Sequence, residues 1–235
     1  ARAEFPDLPV EQRSAISIAR RLQDPMAELI KIDPQAVGVG QYQHDLPTKE
    51  LSLELDNVLE TAVNQVGVNL NTASPQLLTH IAGLTTTIAK NIVTYRNENG
   101  QFQTRSELKK VAKLGPKAFE QAAGFLRIPT GKNPLDNTDI HPESYHVAEK
   151  VLQTAAVKDL GESASSALHE FDTPSFAQQL SIGYPTLHDI ISSLIEPGRD
   201  LRDDAPMATL RSDVLTLDDL EVGMQLQGTV RNVVD

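Results

Sequence analysis

Apolar positions recur at helical spacing along most of the chain. Ile16, Ile18 and Leu22 stand among polar residues and predict a helix from Val10 to Leu22. Asp24-Pro25 interrupts it, and a second helix can start there over Met26, Leu29 and Ile30. VGVGQYQHD (37–45) reads as loop or strand edge, so residues 1–45 are expected to form a small α/β segment. Leu51, Leu55, Val58, Leu59, Ala62 and Val66 then mark a long amphipathic helix from Leu46 to Val66. VNLNTASP breaks it: Ser74 suits a helix cap and Pro75 the first helical position after it.

From Leu77 the pattern repeats. Sliding LLTHIAGLTTTIAKNIVTYR by 30 residues brings its apolar positions onto those of ELKKVAKLGPKAFEQAAGFLR. Leu78 falls on Leu108, Ile81 on Val111, Ala82 on Ala112, Leu84 on Leu114, Ala89 on Phe119 and Tyr95 on Phe125. A shared register means one supersecondary unit used twice. Each copy reads as a short helix, a three-residue break and a second helix, with NENGQF as the turn between copies. Thr104 and Glu107 have the spacing of a capping box at the start of the second copy. The breaks are Gly83-Leu84-Thr85 and Lys113-Leu114-Gly115, each keeping one glycine of the Gly-apolar-Gly pattern of a helix–hairpin–helix.

Composition agrees with packed helices: 40% of residues are hydrophobic, only 4% aromatic, and there is no Trp. The absence of Cys excludes disulfides, thiolate metal sites and a cysteine nucleophile, and fits a cytoplasmic protein. No run of about 18 apolar residues predicts a membrane span. The net charge of −11 argues against nucleic acid, because phosphate contacts come from Lys and Arg. The charge is uneven, however. Residues 72–132 carry 9 basic and 3 acidic side chains, a net of +6, between flanks of −5 (1–71) and −12 (133–235). Screening over roughly 8 Å lets a ligand at this basic island feel mostly the island.

That setting gives the breaks a chemical meaning. The first N–H groups of a helix lack intrahelical partners and can hold a phosphate without reading a base. Gly83 and Gly115 allow close approach, Pro116 fits the first helical position, and Thr85 and Thr86 can cap the helix or donate to phosphate. Lys90, Lys109, Lys110, Lys113 and Lys117 supply the charge. The alternative is that Gly83-Leu84-Thr85 and Lys113-Leu114-Gly115 are tight connectors in a bundle and the lysines a solvated face.

Other candidates are weaker. His141 and His146 stand near Glu143 and Glu149, but HPE reads better as a helix start with an acidic first turn than as a metal site. VGVGQY lacks the helix and Lys of a phosphate loop, and nothing in the sequence requires a cofactor.

RSAISIARRLQDPMAELIKIDPQAVGVGQYQHD (13–45), NPLDNTDIHPESY (133–145), PGRDLR (197–202) and LEVGMQLQGTVRNVVD (220–235), with the tandem hairpins, resemble the Tex/YhgF family of bacterial transcription accessory proteins. The resemblance covers essentially the whole chain. It implies the end of a YqgF (RNase H-like) domain at 1–45, a tandem helix–hairpin–helix domain at 46–132 and a second helical domain at 133–212. A truncated OB-fold RNA-binding domain would start at 213–235, with Gln225, Gln227 and Arg231 on its first strand. Asp24 could be a late member of an RNase H-like carboxylate set or simply a helix terminator. Gly198, Arg199, Asp200 and Arg202 would form a joint before the OB-fold.

The expected fold is mainly α, and the expected function a non-enzymatic, sequence-independent grip on RNA or DNA phosphates, by a monomer with no membrane partner. The alternative is a protein-docking platform for RNA polymerase or ribosome-associated machinery, with nucleic-acid binding residing in the OB-fold.

Overall fold

The computed structural model describes residues 2, 4–38, 40–200 and 222–225. The chain divides into two compact units, Ala1–Leu201 and Arg202–Asp235. Of the second, the described residues include a turn at 222–223 and exposed Gln225; Arg202, Gln227, Arg231 and the rest of the expected OB-fold start lie outside the described residues.

The first unit opens with α1 (Val10–Gln23), α2 (Pro25–Leu29), α3 (Pro34–Val37) and a 3-10 turn at Gln43–Asp45. The expected strand edge is absent among the described residues of 1–45, which are helical or in turns. The reason is local. Asp24 and Asp33 each cap a helix that begins with proline: Asp24 Oδ1 accepts from Ala27 N at 3.2 Å, and Asp33 Oδ1 from Gln35 N at 2.9 Å. Residues 40–46 spend their backbone groups on short-range bonds such as Asp45 N to Tyr42 O (3.0 Å), which leaves no ladder to extend. Asp24 thus has the helix-terminating role that its sequence allowed. Behind it, buried Glu28 pairs with Lys31 at 2.8 Å, and Lys31 also reaches Glu4 at 3.1 Å. Burial works against the Glu28 charge, but hydrogen bonds from Lys31 and Ser17 and the charges of Lys31 and Arg20 outweigh it and hold its carboxyl below the usual range.

The long helix is α4 (Thr48–Val66), ended by Gly67 at φ +74. A two-residue strand β1 (Val68–Asn69) follows, then α5 (Pro75–Leu78) and α6 (Thr86–Asn99). The second copy is a 3-10 helix (Arg105–Lys110), α7 (Pro116–Ala122), a 3-10 turn (Ala123–Phe125) and β2 (Leu126–Arg127). β1 and β2 pair in parallel, Val68 opposite Leu126, so the entrance to the first copy and the exit of the second are tied together. The repeat register is visible in the core: Leu78 and Leu108, Ile81 and Val111, Leu84 and Leu114, and Ala89 and Phe119 are all buried.

A second core gathers α8 (Tyr145–Thr154), α9 (Ser165–His169), α10 (Pro174–Gln179) and α11 (Tyr184–Ile195) around Val151, Leu168, Leu187 and Ile191.

The two cores meet at Arg105, which is 1% exposed. Its Nε donates to Leu126 O (2.6 Å), Nη1 to Ile140 O (2.7 Å) and the Tyr145 hydroxyl (2.8 Å), and Nη2 to Thr138 O (2.5 Å). Buried Asp136 accepts from Arg105 N (3.0 Å) and from the Tyr145 hydroxyl (2.6 Å). Burial raises the Tyr145 pKa, so the phenol keeps the proton that it donates. Removing a hydrogen-bonded buried charge typically costs about 3–5 kcal/mol. Arg105→Ala should therefore lower unfolding free energy by about that amount in urea denaturation. Arg105→Lys should recover only part of it, because an ammonium lacks the planar fork that serves four acceptors.

Candidate nucleic-acid interface

The two breaks found in the sequence are hairpins with one backbone path. Gly83 has φ +80, and Lys113, 30 residues on, has φ +68. Leu84 N closes on Ile81 O at 3.1 Å, and Leu114 N on Val111 O at 3.2 Å. Leu84 and Leu114 are buried, so their side chains anchor the loops on the core and only their backbones border the surface. Thr85 and Gly115 are the N-caps of α6 and α7, both in extended conformation.

The surroundings differ. At the first hairpin, a Cβ on Gly83 would stand 2.6 Å from Gln121 Cβ: the loop is packed against α7 and glycine is obligatory there. The Thr85 hydroxyl accepts from Ile88 N at 3.4 Å and so occupies one free donor of α6. Thr86 is exposed, and Lys90 is the nearest basic residue in sequence. At the second hairpin, a Cβ on Gly115 would meet nothing within 4 Å, and no side chain caps α7. Lys109, Lys110, Lys113 and Lys117 are exposed there. Neither they nor Lys90 pair with a carboxylate among the described residues. Lys109 Nζ lies 4.7 Å from the centre of the Phe119 ring. With only seven residues, α7 sums few peptide dipoles, so charge at this hairpin comes mainly from the lysines. A cleft of about 430 Å³ runs from Lys109, Gly115 and Phe119 to His141 and Glu143.

Several sequence expectations need correction in detail. The basic island is smaller than its composition, because Arg105 and Arg127 are internal. Arg127 bonds Asp139 and donates to Arg199 O (2.6 Å), fixing the end of the second core to the first. The capping box does not form: Thr104 Oγ1 bonds Ser106 Oγ at 2.8 Å, and Glu107 accepts from Gln103 N at 3.0 Å instead. A 3-10 helix at this point shifts the reach of the Glu107 side chain by about a residue. His141 accepts from Glu143 N through Nδ1 (3.3 Å), and its Nε2 lies 2.9 Å from Glu120 O; His146 Nδ1 lies 2.8 Å from Glu143 O. No group of three His, Asp or Glu fit to hold a metal occurs among the described residues. No helix among them is long and apolar enough to cross a membrane. At the 197–200 joint, Arg199 pairs with Glu196 at 2.8 Å, and Gly198 (φ +71) leaves room for Asn137.

A third hairpin escaped the sequence reading. Between α10 and α11, Ser181 (φ +59), Ile182 and Gly183 show the same order of positive φ, apolar residue and extended N-cap, but Ile182 N closes on Ala177 O (3.1 Å), a wider loop than those of Leu84 and Leu114. The signal available was apolar-Gly with a proline just inside the next helix. Ser181 at the glycine position concealed it.

Residues 63–127 match the family model described as "Helix-hairpin-helix motif", and residues 133–202 the one described as "HHH domain". Fold and matches together define a mainly α, tandem helix–hairpin–helix protein. Along its whole length the chain is 54% identical to Protein YhgF of Escherichia coli, covering 30% of it, and 50% identical to Transcriptional accessory protein Tex of Neisseria gonorrhoeae, covering 31%. It is 37% identical, over 99% of its length, to human S1 RNA-binding domain-containing protein 1, covering 29% of that protein. The chain belongs to the Tex/YhgF family and spans about a third of the length of these relatives.

The hairpin geometry predicts opposite effects of two substitutions on stability. A non-glycine residue in the left-handed region costs roughly 1–2 kcal/mol. Gly83→Ala should lower the unfolding free energy by at least that amount, because the new methyl also meets Gln121. Lys113→Gly should raise it by up to about 1 kcal/mol. Thermal denaturation of the two variants beside the parent chain checks both signs.

Proposed function

We propose that this chain is a non-enzymatic, sequence-independent nucleic-acid-binding segment of a cytoplasmic transcription accessory protein. It contacts backbone phosphates through its helix–hairpin–helix region. The sequence offers candidate groups at both hairpins, the backbone and hydroxyls of Gly83, Leu84, Thr85 and Thr86 with Lys90 at the first and the Lys109–Lys117 stretch at the second, and only the second gathers several exposed cations. One observation carries the reading: exposed lysines without described carboxylate partners surround an open hairpin in an otherwise acidic chain. Ammonium groups there neutralise phosphates without distinguishing bases. The names of the relatives, a transcriptional accessory protein and an S1 RNA-binding domain-containing protein, support the same assignment.

A docking platform for RNA polymerase or ribosome-associated machinery is the second reading. It is favoured by the second core, where no Lys or Arg occurs between Lys158 and Arg199.

Fluorescence anisotropy with labelled RNA and DNA from about 50 to 200 mM salt separates them. Each phosphate contact steepens the slope of log K on log salt by roughly 0.9 on duplex and 0.7 on single strands. Four contacts therefore predict about a hundredfold loss of duplex affinity across that range, whatever the sequence. Binding that ignores salt, or none at the lowest salt, would favour the docking reading.

A further inference from the structure

Among the described residues, three helix-joining loops place a positive-φ residue before an apolar residue and an extended N-cap, at Gly83, Lys113 and Ser181, whose φ angles are +80, +68 and +59. Resting on the nucleic-acid reading above, we infer that only the second hairpin, Lys113-Leu114-Gly115, faces the phosphates, while the first and third have become structural.

Each hairpin shows its own reason. The first is exposed but lacks charge at the loop: Gly83 packs beside Gln121, the Thr85 hydroxyl oxygen accepts from Ile88 N, and Lys90 sits a turn into α6. The third has the wrong sign. Glu170, Asp172 and Asp189 flank it in sequence, and the 40 residues from Asp159 to Gly198 contain no Lys or Arg. Its His188 is already bonded to Asp172 at 2.7 Å. A phosphate there would meet like charge.

The second hairpin combines space with charge. Gly115 faces open space, and lysines stand before, within and after the loop. Lys113 itself occupies the left-handed position that the first copy gives to glycine. Ser181 also carries a side chain at this position, but without charge, whereas Lys113 places an exposed cation on the loop itself. The ammonium of Lys113, borne on the hairpin itself, then takes the place of a glycine whose only merit would be conformational.

Three sets of charge variants of this chain, checked for unchanged melting cooperativity, test the assignment by anisotropy on the same labelled RNA and DNA. Reversal at the second hairpin (Lys110→Glu with Lys117→Glu) should remove most binding and lower the salt slope by about 2, one per lost contact. Charge placed at the first (Thr86→Glu with Lys90→Glu) or the third (Tyr184→Glu with Thr186→Glu) should change affinity by less than about threefold, the span of ordinary surface electrostatics. Lys113→Gly adds a readout that a structural role would not give: affinity falls severalfold and the slope by about 1, although the hairpin is relieved of strain. Equal losses from the first and second sets would overturn the division of labour and leave the nucleic-acid reading standing. Loss from the third set alone would move the contact to the second core. Robust parental binding indifferent to all three sets would overturn both the inference and the seat of the proposed function.

Discussion

The arrangement of the first unit depends on one buried guanidinium. Arg105 sits where the second hairpin unit, β2 and the segment 138–140 converge, and it donates to three carbonyls and a phenol. Leu126 belongs to β2, while Thr138 and Ile140 lie in irregular chain between the two cores. Burying the charge is unfavourable by itself. It is tolerated because every direction of the fork meets an acceptor and because Asp136, bonded to Tyr145 and to the Arg105 amide, lies in the same enclosure. The two hydrophobic clusters are separate, and the polar junction links them with directional bonds.

The hairpins show how a backbone solution outlives its sequence signature. Each reversal needs a residue with positive φ, then an apolar anchor, then an extended residue that starts a helix. Glycine fills the first place where the loop is packed against α7. Lys113 and Ser181 fill it at a modest conformational cost where space allows a side chain. The same geometry can therefore carry different surfaces. The exposed lysines gather around one loop, while the sequence around the third loop is acidic, so the family's shared fold does not by itself assign a binding role to each hairpin.

Much was legible in the sequence, because the signals are local. Helical spacing marked α1 and α4, the 30-residue register marked the paired hairpins, and Ser74-Pro75 marked the start of α5. Charge arithmetic located the basic island. Less legible were features in which short-range preferences compete. Of the loop or strand edge expected at 37–45 the described residues form no strand, and the Thr104–Glu107 box failed because a 3-10 helix formed in place of an α-helix.

By itself the sequence determined the helical class, the repeat and the net positive character of residues 72–132, since periodicity and charge need no neighbours to be read. Only the tertiary structure decided which charges face outward. Arg105 and Arg127 count as basic in composition, yet they are internal fasteners, because carbonyls distant in sequence close around them. The lysines of the second hairpin are exposed, and no carboxylate among the described residues pairs with them. Positive φ at Lys113 and Ser181 likewise belongs to the fold: buried Leu114 and half-buried Ile182 pull each loop onto its core, and the residue before them takes the conformation that remains.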